Sequence, residues 1–488
     1  MLLKYIFTLI ICFLLGFHLV GQEDQKAITR LSLDQVIRMA QQQSIAARRA
    51  ATLKTTRYWE WRNFKSNYKP RITLNGTIPG FTRSYQEVLQ PDGSVDFLSV
   101  SNNNASLDLA MQQSLALTGG TLFVGTSLQR FDNFKGDFTL YSGSPVLVGF
   151  TQPLFQFNEL KWDKEIEPLR YQESQQQFLA DLEEIAVTSV DFFFNLMVAQ
   201  INLNIAQTNL VNTDTIYRIT QERFDLGKAS RNDVLQLKME TLKARKGLAS
   251  AKQDVASAKQ QLRAFVGNRL ENMANLNLPD ELPNITVDLD VALGQALSNL
   301  PDAISFRRRK VEAERDIASA KGNNGFSATI TGSFGLSGRG TSVGDVYRSP
   351  QDREGLFLQF NLPIMDWGRA KSEMEMARAS QKLVQFEVEQ DRLNLEQEIT
   401  TQITLLEMYA QQVELNAEAD QVAQDRYQIA QDRFILGNLS ITDLSIALQE
   451  KDQAKRDYIR SLWDYWQTYY TVRFLTLYDF EKQQKITY

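Results

Sequence analysis

Cysteine and histidine each occur once in the 488 residues, as Cys12 and His18, and both lie close to the N-terminus. The rest of the chain therefore offers no thiol nucleophile, imidazole base, disulfide or His/Cys metal site. Asp and Glu are abundant, 58 together, but they fall at helical spacing among Lys, Arg and Gln. That is the pattern of solvated helix faces, not of paired acids poised for hydrolysis. Gly338, Gly340 and Gly344 fit neither a phosphate loop nor a dinucleotide fingerprint, because no Lys-Ser/Thr closes the run and no helix is expected after it. A loop at a hairpin tip is expected there. The chain is expected to have no catalytic residues, no cofactor and no metal.

The formal charge of -5 disfavours nucleic acid as a partner. The basic tetrad Arg307-Arg308-Arg309-Lys310 is soon answered by Glu312, Glu314 and Asp316, which predicts another solvated helix face.

One stretch occurs twice. Residues 223–233 read Arg-Phe-Asp-Leu-Gly-Lys-Ala-Ser-Arg-Asn-Asp, and residues 433–443 read Arg-Phe-Ile-Leu-Gly-Asn-Leu-Ser-Ile-Thr-Asp, an offset of 210. Between residues 217–246 and 427–456, 11 of 30 positions are identical without a gap, so the chain is a duplication. In each copy a Gly (Gly227, Gly437) can adopt the left-handed conformation that stops a helix. A Ser three residues on (Ser230, Ser440), followed at the next third place by Asp233 or Asp443, forms a capping box that starts another. Each copy is thus a tight helix-to-helix reversal.

The elements around these reversals follow from periodicity. Residues 33–66 have helical spacing, and residues 72–78 alternate as a two-faced strand. Residues 81–103, rich in Ser, Asn, Asp and Gly, predict a long loop. Residues 105–117 and 121–129 around Thr118-Gly119-Gly120 predict an extra hairpin, which either joins a sheet or folds inside one. A strand over 145–152 ends at Pro153. A helix over about 157–226, interrupted only by Pro168, would be roughly 105 Å long. A shorter helix returns from the first reversal to Gly267. The second half repeats the plan: a helix over 291–322, strands over 326–334 and 355–362, a helix over 367–436, and a return to about 478. The expected domains are a signal peptide (1–21), a first repeat (22–266), a linker (267–290) and a second repeat (291–488).

The N-terminus predicts export. Lys4 provides a positive region, residues 5–17 an apolar one, and Leu19-Val20-Gly21 a cleavage site before Gln22. No run of about 18 apolar residues follows, so no membrane helix is expected; the most apolar stretch, 190–199, contains Asp191 and Asn195. Strands polar on one face and apolar on the other, in an exported chain, suit a transmembrane barrel. Trp59, Trp61, Trp162 and Trp367 lie near helix–strand junctions, where an aromatic girdle at the membrane interface would sit. Two strands per repeat cannot close a barrel, so several chains must contribute. The competing reading of the residues is a soluble periplasmic coiled-coil adaptor or scaffold, against which the duplicated alternating strands argue.

The order of helix, strands, long helix, reversal and half-helix, duplicated behind a leader, resembles the TolC-like outer-membrane efflux protein family, the outer-membrane factors of tripartite export systems. Arg223-Phe224-Asp225-Leu226-Gly227, its twin Arg433-Phe434-Ile435-Leu436-Gly437, and the segments Gln152-Pro153-Leu154-Phe155 and Leu362-Pro363-Ile364 carry the resemblance. It implies an α+β membrane protein. A homotrimer would form a barrel of about twelve strands in the Gram-negative outer membrane, continued by a long periplasmic α-helical barrel. The implied function is a passive channel of a tripartite efflux or type I secretion system. It would receive cargo from an inner-membrane transporter through a periplasmic adaptor, with drugs, metals and polypeptides all within the family's range.

By the same resemblance Arg223, Phe224, Gly227, Arg433, Phe434 and Gly437 would meet the adaptor. Asp443 falls on the first of two aspartate positions that narrow the family's closed mouth, and Asp233 is its twin. The second aspartate position holds Ile446, and the positions of gate-locking Tyr and Arg hold Phe434 and Leu439. A more apolar, more weakly bridged gate is expected. Asp443 is open to two readings, helix cap and gate.

Overall fold

The computed structural model of the protein describes residues 30–267 and 275–488; the expected signal peptide, with Cys12 and His18, lies outside the described residues. Helices α1 (Leu33–Gln43) and α2 (Ile45–Ser66) come first. They are followed by α3 (Glu159–Asp225), α4 (Arg231–Val266), α5 (Leu289–Asn299) and α6 (Pro301–Asn323). Then come the short α7 (Val343–Arg348), α8 (Arg369–Ile435) and α9 (Ile441–Thr476). The duplication is visible in the lengths: α3 and α8 have 67 residues each, α4 and α9 have 36 each. Pro168 does not break α3.

Two helices expected to be continuous are each split. Ser44 is extended (ψ 155°), and its hydroxyl accepts the Ala47 N–H at 3.0 Å, so it ends α1 and starts α2. Leu300 is extended in the same way (ψ 146°) because Pro301 follows it, and a residue before proline avoids the helical region.

The described chain divides into two compact units, each drawing on both halves of the duplication. The first joins the residues up to Arg48 with Leu182–Ile285 and Thr404–Thr471; the second joins Arg49–Asp181, Thr286–Ile403 and Val472–Tyr488.

In the first unit, Val190, Phe193, Phe194 and Leu196 are fully buried. Phe194 stacks on Trp463 and Phe192 on Phe265, with ring centroids 6.3 and 4.6 Å apart. Contrary to expectation, α3 contains a window long and apolar enough to cross a membrane by length and composition. Its apolar residues fill this core instead, and Asp191 within it accepts the Trp463 indole N–H at 3.1 Å. The expected linker is strapped down where it is described. Gly267 ends α4 at φ 100°, β7 (Asn275–Leu276) pairs in parallel with β1 (Arg30–Leu31), and the Trp466 indole donates to the Pro279 carbonyl at 2.9 Å.

The second unit holds the main sheet. Its strands are β2 (Arg71–Thr77), β3 (Phe81–Leu89), β4 (Val95–Leu115), β5 (Gly120–Asn133), β6 (Phe138–Leu154), β8 (Ser327–Gly340) and β9 (Gln351–Asn361). All pair antiparallel in the order β2-β4-β5-β6-β8-β9. β3 continues β2 along the same neighbour: Thr77 pairs with Ser106 and Phe81 with Asn103, both on β4. The sheet is thus six strands wide: of the two placements open to the extra hairpin, it takes the one in the sheet, beside the four core strands expected.

Two further expectations fail in this sheet. Residues 81–103 are not a loop; they form β3 and the outer part of β4, turning at Gly93 (φ 84°). Ser and Asn marked solvation there, and a paired strand tolerates solvation on its faces. Likewise β8 runs through Gly338 and Gly340 and is followed by α7, which Ser342 caps. A Cβ on Gly338 would lie 2.0 Å from the Val346 carbonyl, so glycine is what lets α7 lie against the strand.

The register separates two faces. Leu74, Leu109, Val124, Val148, Phe334, Leu358 and Phe360 share one face, and all except Leu358 and Phe360, which stand on β9, come from five different strands. All seven are exposed, from 37% at Val124 to 69% at Phe360. Ser106, Asp108, Ser127, Gln129, Ser142, Ser144, Arg339 and Arg353 line a hollow on the other face, where Arg353 Nη1 donates to Ser144 Oγ at 3.0 Å. The basic tetrad also behaves differently from expectation. Arg308 pairs with Glu173 and Glu312, and Arg309 with Glu387 and Asp391, so these arginines tie helices together instead of facing water alone.

Candidate gating and docking site at the twin reversals

Both reversals lie in the first unit and use the same backbone device. After α3, Gly227 takes φ 73°; its N–H bonds the Phe224 carbonyl at 2.9 Å and the Lys228 N–H bonds the Arg223 carbonyl at 2.7 Å. After α8, Gly437 takes φ 84°, with the matching bonds from Gly437 to Phe434 and from Asn438 to Arg433, both 2.9 Å. These paired bonds close a Schellman motif, which satisfies helix-end carbonyls and needs a left-handed residue. A Cβ on either glycine would touch nothing within 4 Å, so backbone conformation alone requires glycine there.

The helix starts differ slightly. Ser230 and Asp233 form a complete capping box, with the Ser230 N–H donating to the Asp233 carboxylate at 2.9 Å. At the second reversal Ser440 Oγ donates to Asp443 Oδ2 at 2.7 Å and accepts the Asp443 N–H at 3.1 Å. Asp233 thus caps the backbone directly, whereas the Asp443 carboxylate bonds the hydroxyl of the cap residue Ser440. Asp443 is nevertheless exposed, whereas Asp233 is half-buried.

The two reversals pack on one another through Ile216 and Leu237 from the first half and Tyr427, Ala430, Phe434, Leu444 and Ala447 from the second. Burial pushes the Tyr427 phenol above its usual range; its hydroxyl accepts from Asn212 at 3.1 Å, and the Lys451 ammonium lies 4.6 Å from its ring centre.

The twin Arg-Phe pairs are used unequally. Arg223 donates to the Ile435 carbonyl at 2.7 Å and to the Phe434 carbonyl at 3.4 Å, with its guanidinium 5.6 Å from the Phe434 ring centre. It thus caps the end of the other long helix, where a cation meets the negative pole. Arg433 is exposed and, among the described residues, its side chain has no hydrogen bond or ion pair. Phe434 is 4% exposed and Phe224 38%. Phe434 and Leu439, expected as gate or contact residues, therefore belong to the packing of the reversals: Phe434 is core, and Leu439 packs against that core. Ile446 is 43% exposed and stands one helical turn beyond Asp443.

Leu226 and Leu436 were not among the expected site residues. They are 72% and 74% exposed beside the two turn glycines, and neither turn nor cap requires a leucine. Their recurrence at one place in both copies was the available signal. In the second unit, Trp59 and Trp367 are exposed, whereas Trp61 stacks on Tyr171 with centroids 5.4 Å apart and Trp162 is partly buried. Among the described residues no group of three or more His, Cys, Asp or Glu could hold a metal ion.

Solved structures of similar fold are outer-membrane channels. CmeC, the outer membrane channel of Campylobacter jejuni, aligns with a TM-score of 0.67 at 15% identity over 93% of this chain and 87% of its own. The outer-membrane channel OprN gives 0.66 at 14% identity over 92% and 90%. CusC, solved in connection with transmembrane channel formation, gives 0.64 at 15% identity over 94% of both chains. No curated protein sequence matches at a significant level. The family model described as outer membrane efflux protein matches residues 98–268 and 292–476, one stretch in each half of the duplication. The chain belongs to the outer membrane efflux protein family and is an outer-membrane efflux channel.

Proposed function

We propose that three copies assemble into a passive conduit through the outer membrane, fed by an inner-membrane transporter through a periplasmic adaptor. One observation carries the assembly: among the described residues, β2 and β9 each have a neighbour on one side only, although the sheet presents a broad apolar face. Unpaired backbone groups cost several kcal/mol each in hydrocarbon, so a sheet with free edges enters lipid only when other copies close it. Trp59 and Trp367 would stand at the membrane interface as exposed amphipathic rings.

The reversals divide into a scaffold and a contact surface. Arg223, Phe434, Gly227 and Gly437 hold the turns. Phe224, Leu226, Leu436 and Arg433 are the exposed groups that an adaptor's helical tips would meet. Asp443 and Ile446 form the gate: three copies would bring three Asp443 carboxylates toward one axis, a ring favouring cations, with Ile446 as an apolar collar. Asp233, bonded to its own cap, contributes charge at one remove.

The channel reading predicts that the protein leaves the membrane fraction only in detergent; release by salt or alkaline carbonate would contradict it. Asp443→Asn keeps the hydrogen-bond acceptor of the cap and removes the charge. In planar bilayers it should weaken block by multivalent cations about tenfold, and unchanged block would take Asp443 out of the gate. Arg223→Ala leaves two helix-end carbonyls without their cation and should cost about 1–2 kcal/mol locally. Proteinase K should then nick the second turn faster, whereas Arg433→Ala should leave that rate unchanged.

A further inference from the structure

The strand count bears on the width of the exit. A barrel built from two strands per repeat would have the β4–β5 hairpin either folded into the lumen or standing clear of the wall. The structure shows the hairpin inserted in the sheet instead. β4 pairs with β2 on one side and β5 on the other, and β5 in turn pairs with β6.

Its side chains alternate in step with those neighbours. Leu109 on β4 pairs across from Leu74, and Val124 on β5 from Val148, with all four exposed on the apolar face. Asp108 and Ser127 pair with one another on the polar face. A hairpin lying in a wet lumen would be polar on both faces. One that is apolar on one face and polar on the other belongs in a wall between lipid and water.

The edges are also compatible with closure. β2 and its continuation β3 form one edge and β9 the other. With six strands alternating in direction, β9 runs opposite to β2, so β9 of one copy meets β2 of the next antiparallel, as every other pair in the sheet does. An odd number of strands would have placed parallel edges together.

We infer that, on the trimeric channel reading above, the chain closes an eighteen-stranded barrel, six strands from each of three copies. At about 4.8 Å between strands and a tilt of about 40°, the backbone radius grows from about 12 Å for twelve strands to about 18 Å for eighteen. The cross-section rises a little over twofold. The exit pore would then admit bulkier cargo than a twelve-stranded barrel, and size selection falls to the gate at the reversals.

Electron cryomicroscopy of the full-length protein in lipid nanodiscs tests this directly by counting strands. Eighteen are expected. Twelve, with the β4–β5 hairpin outside the wall, would overturn the inference and leave the channel reading standing; recovery of monomers without any barrel would overturn both. A second test uses opposite faces of β4. Leu109→Arg, placing a charge on the lipid face, should lower the yield of assembled protein at least tenfold. Gln112→Arg, on the polar face, should stay within twofold of the unsubstituted protein. Equal yields of the two variants would overturn the placement of the hairpin in the wall.

Discussion

A β-sheet that faces lipid must leave no backbone donor or acceptor unpaired, and this chain alone cannot meet that requirement. Among the described residues β2 and β9 each have a neighbour on one side only, while Leu74, Leu358 and Phe360 on those same edge strands are exposed on the apolar face. Water would solvate the free N–H and C=O groups, but it would also meet the apolar face; lipid would accept the face but not the edges. Closure against further copies, as proposed, would satisfy both. Duplication brings two sets of strands and helices into one chain, and the six-strand width keeps the two edges antiparallel to each other.

The same duplication produces near-identical reversals that do not do identical work. Backbone chemistry is copied faithfully, down to matching Schellman bonds and the Ser-to-Asp spacing. Side chains are not. Arg223 reaches across to the end of α8 and covers Phe434, whereas Arg433 and Phe224 stay at the surface. Two equivalent positions packed against one another in a single chain cannot both be inner and outer. The division runs position by position: at the Phe position the second copy's Phe434 is covered and Phe224 exposed, and at the Arg position the first copy's Arg223 reaches across and Arg433 stays exposed.

Much of this was legible in the sequence because the signals were local. Gly227 and Gly437, with Ser230 and Ser440 three places on, specify a stop and a start that need no tertiary context, and the long helices followed from their periodicity and the absence of breakers. Two kinds of feature were not legible. Breaks at Ser44 and Leu300 depend on one residue each, within segments whose apolar spacing continues across them. Strands in residues 81–103 were hidden because Ser, Asn and Asp signal solvent, and the outer part of a hairpin can be solvated and still fully paired. The partition of the site was hidden for a different reason: Arg223 and Arg433 sit in the same local sequence, and only the packing of one reversal on the other distinguishes them. The exposure of Leu226 and Leu436 is likewise a tertiary fact that composition reads as core.

On the proposed assembly, the free edges of the sheet are closed by other copies in the membrane. Amide hydrogen exchange of the protein in lipid tests it most directly, because exchange reports whether each N–H is hydrogen-bonded. The amides of β2 and β9 are expected to be protected as strongly as those of β5, which has a neighbour on both sides. Edge amides that exchange as fast as those in the turn around Gly93, while β5 stays protected, would contradict it.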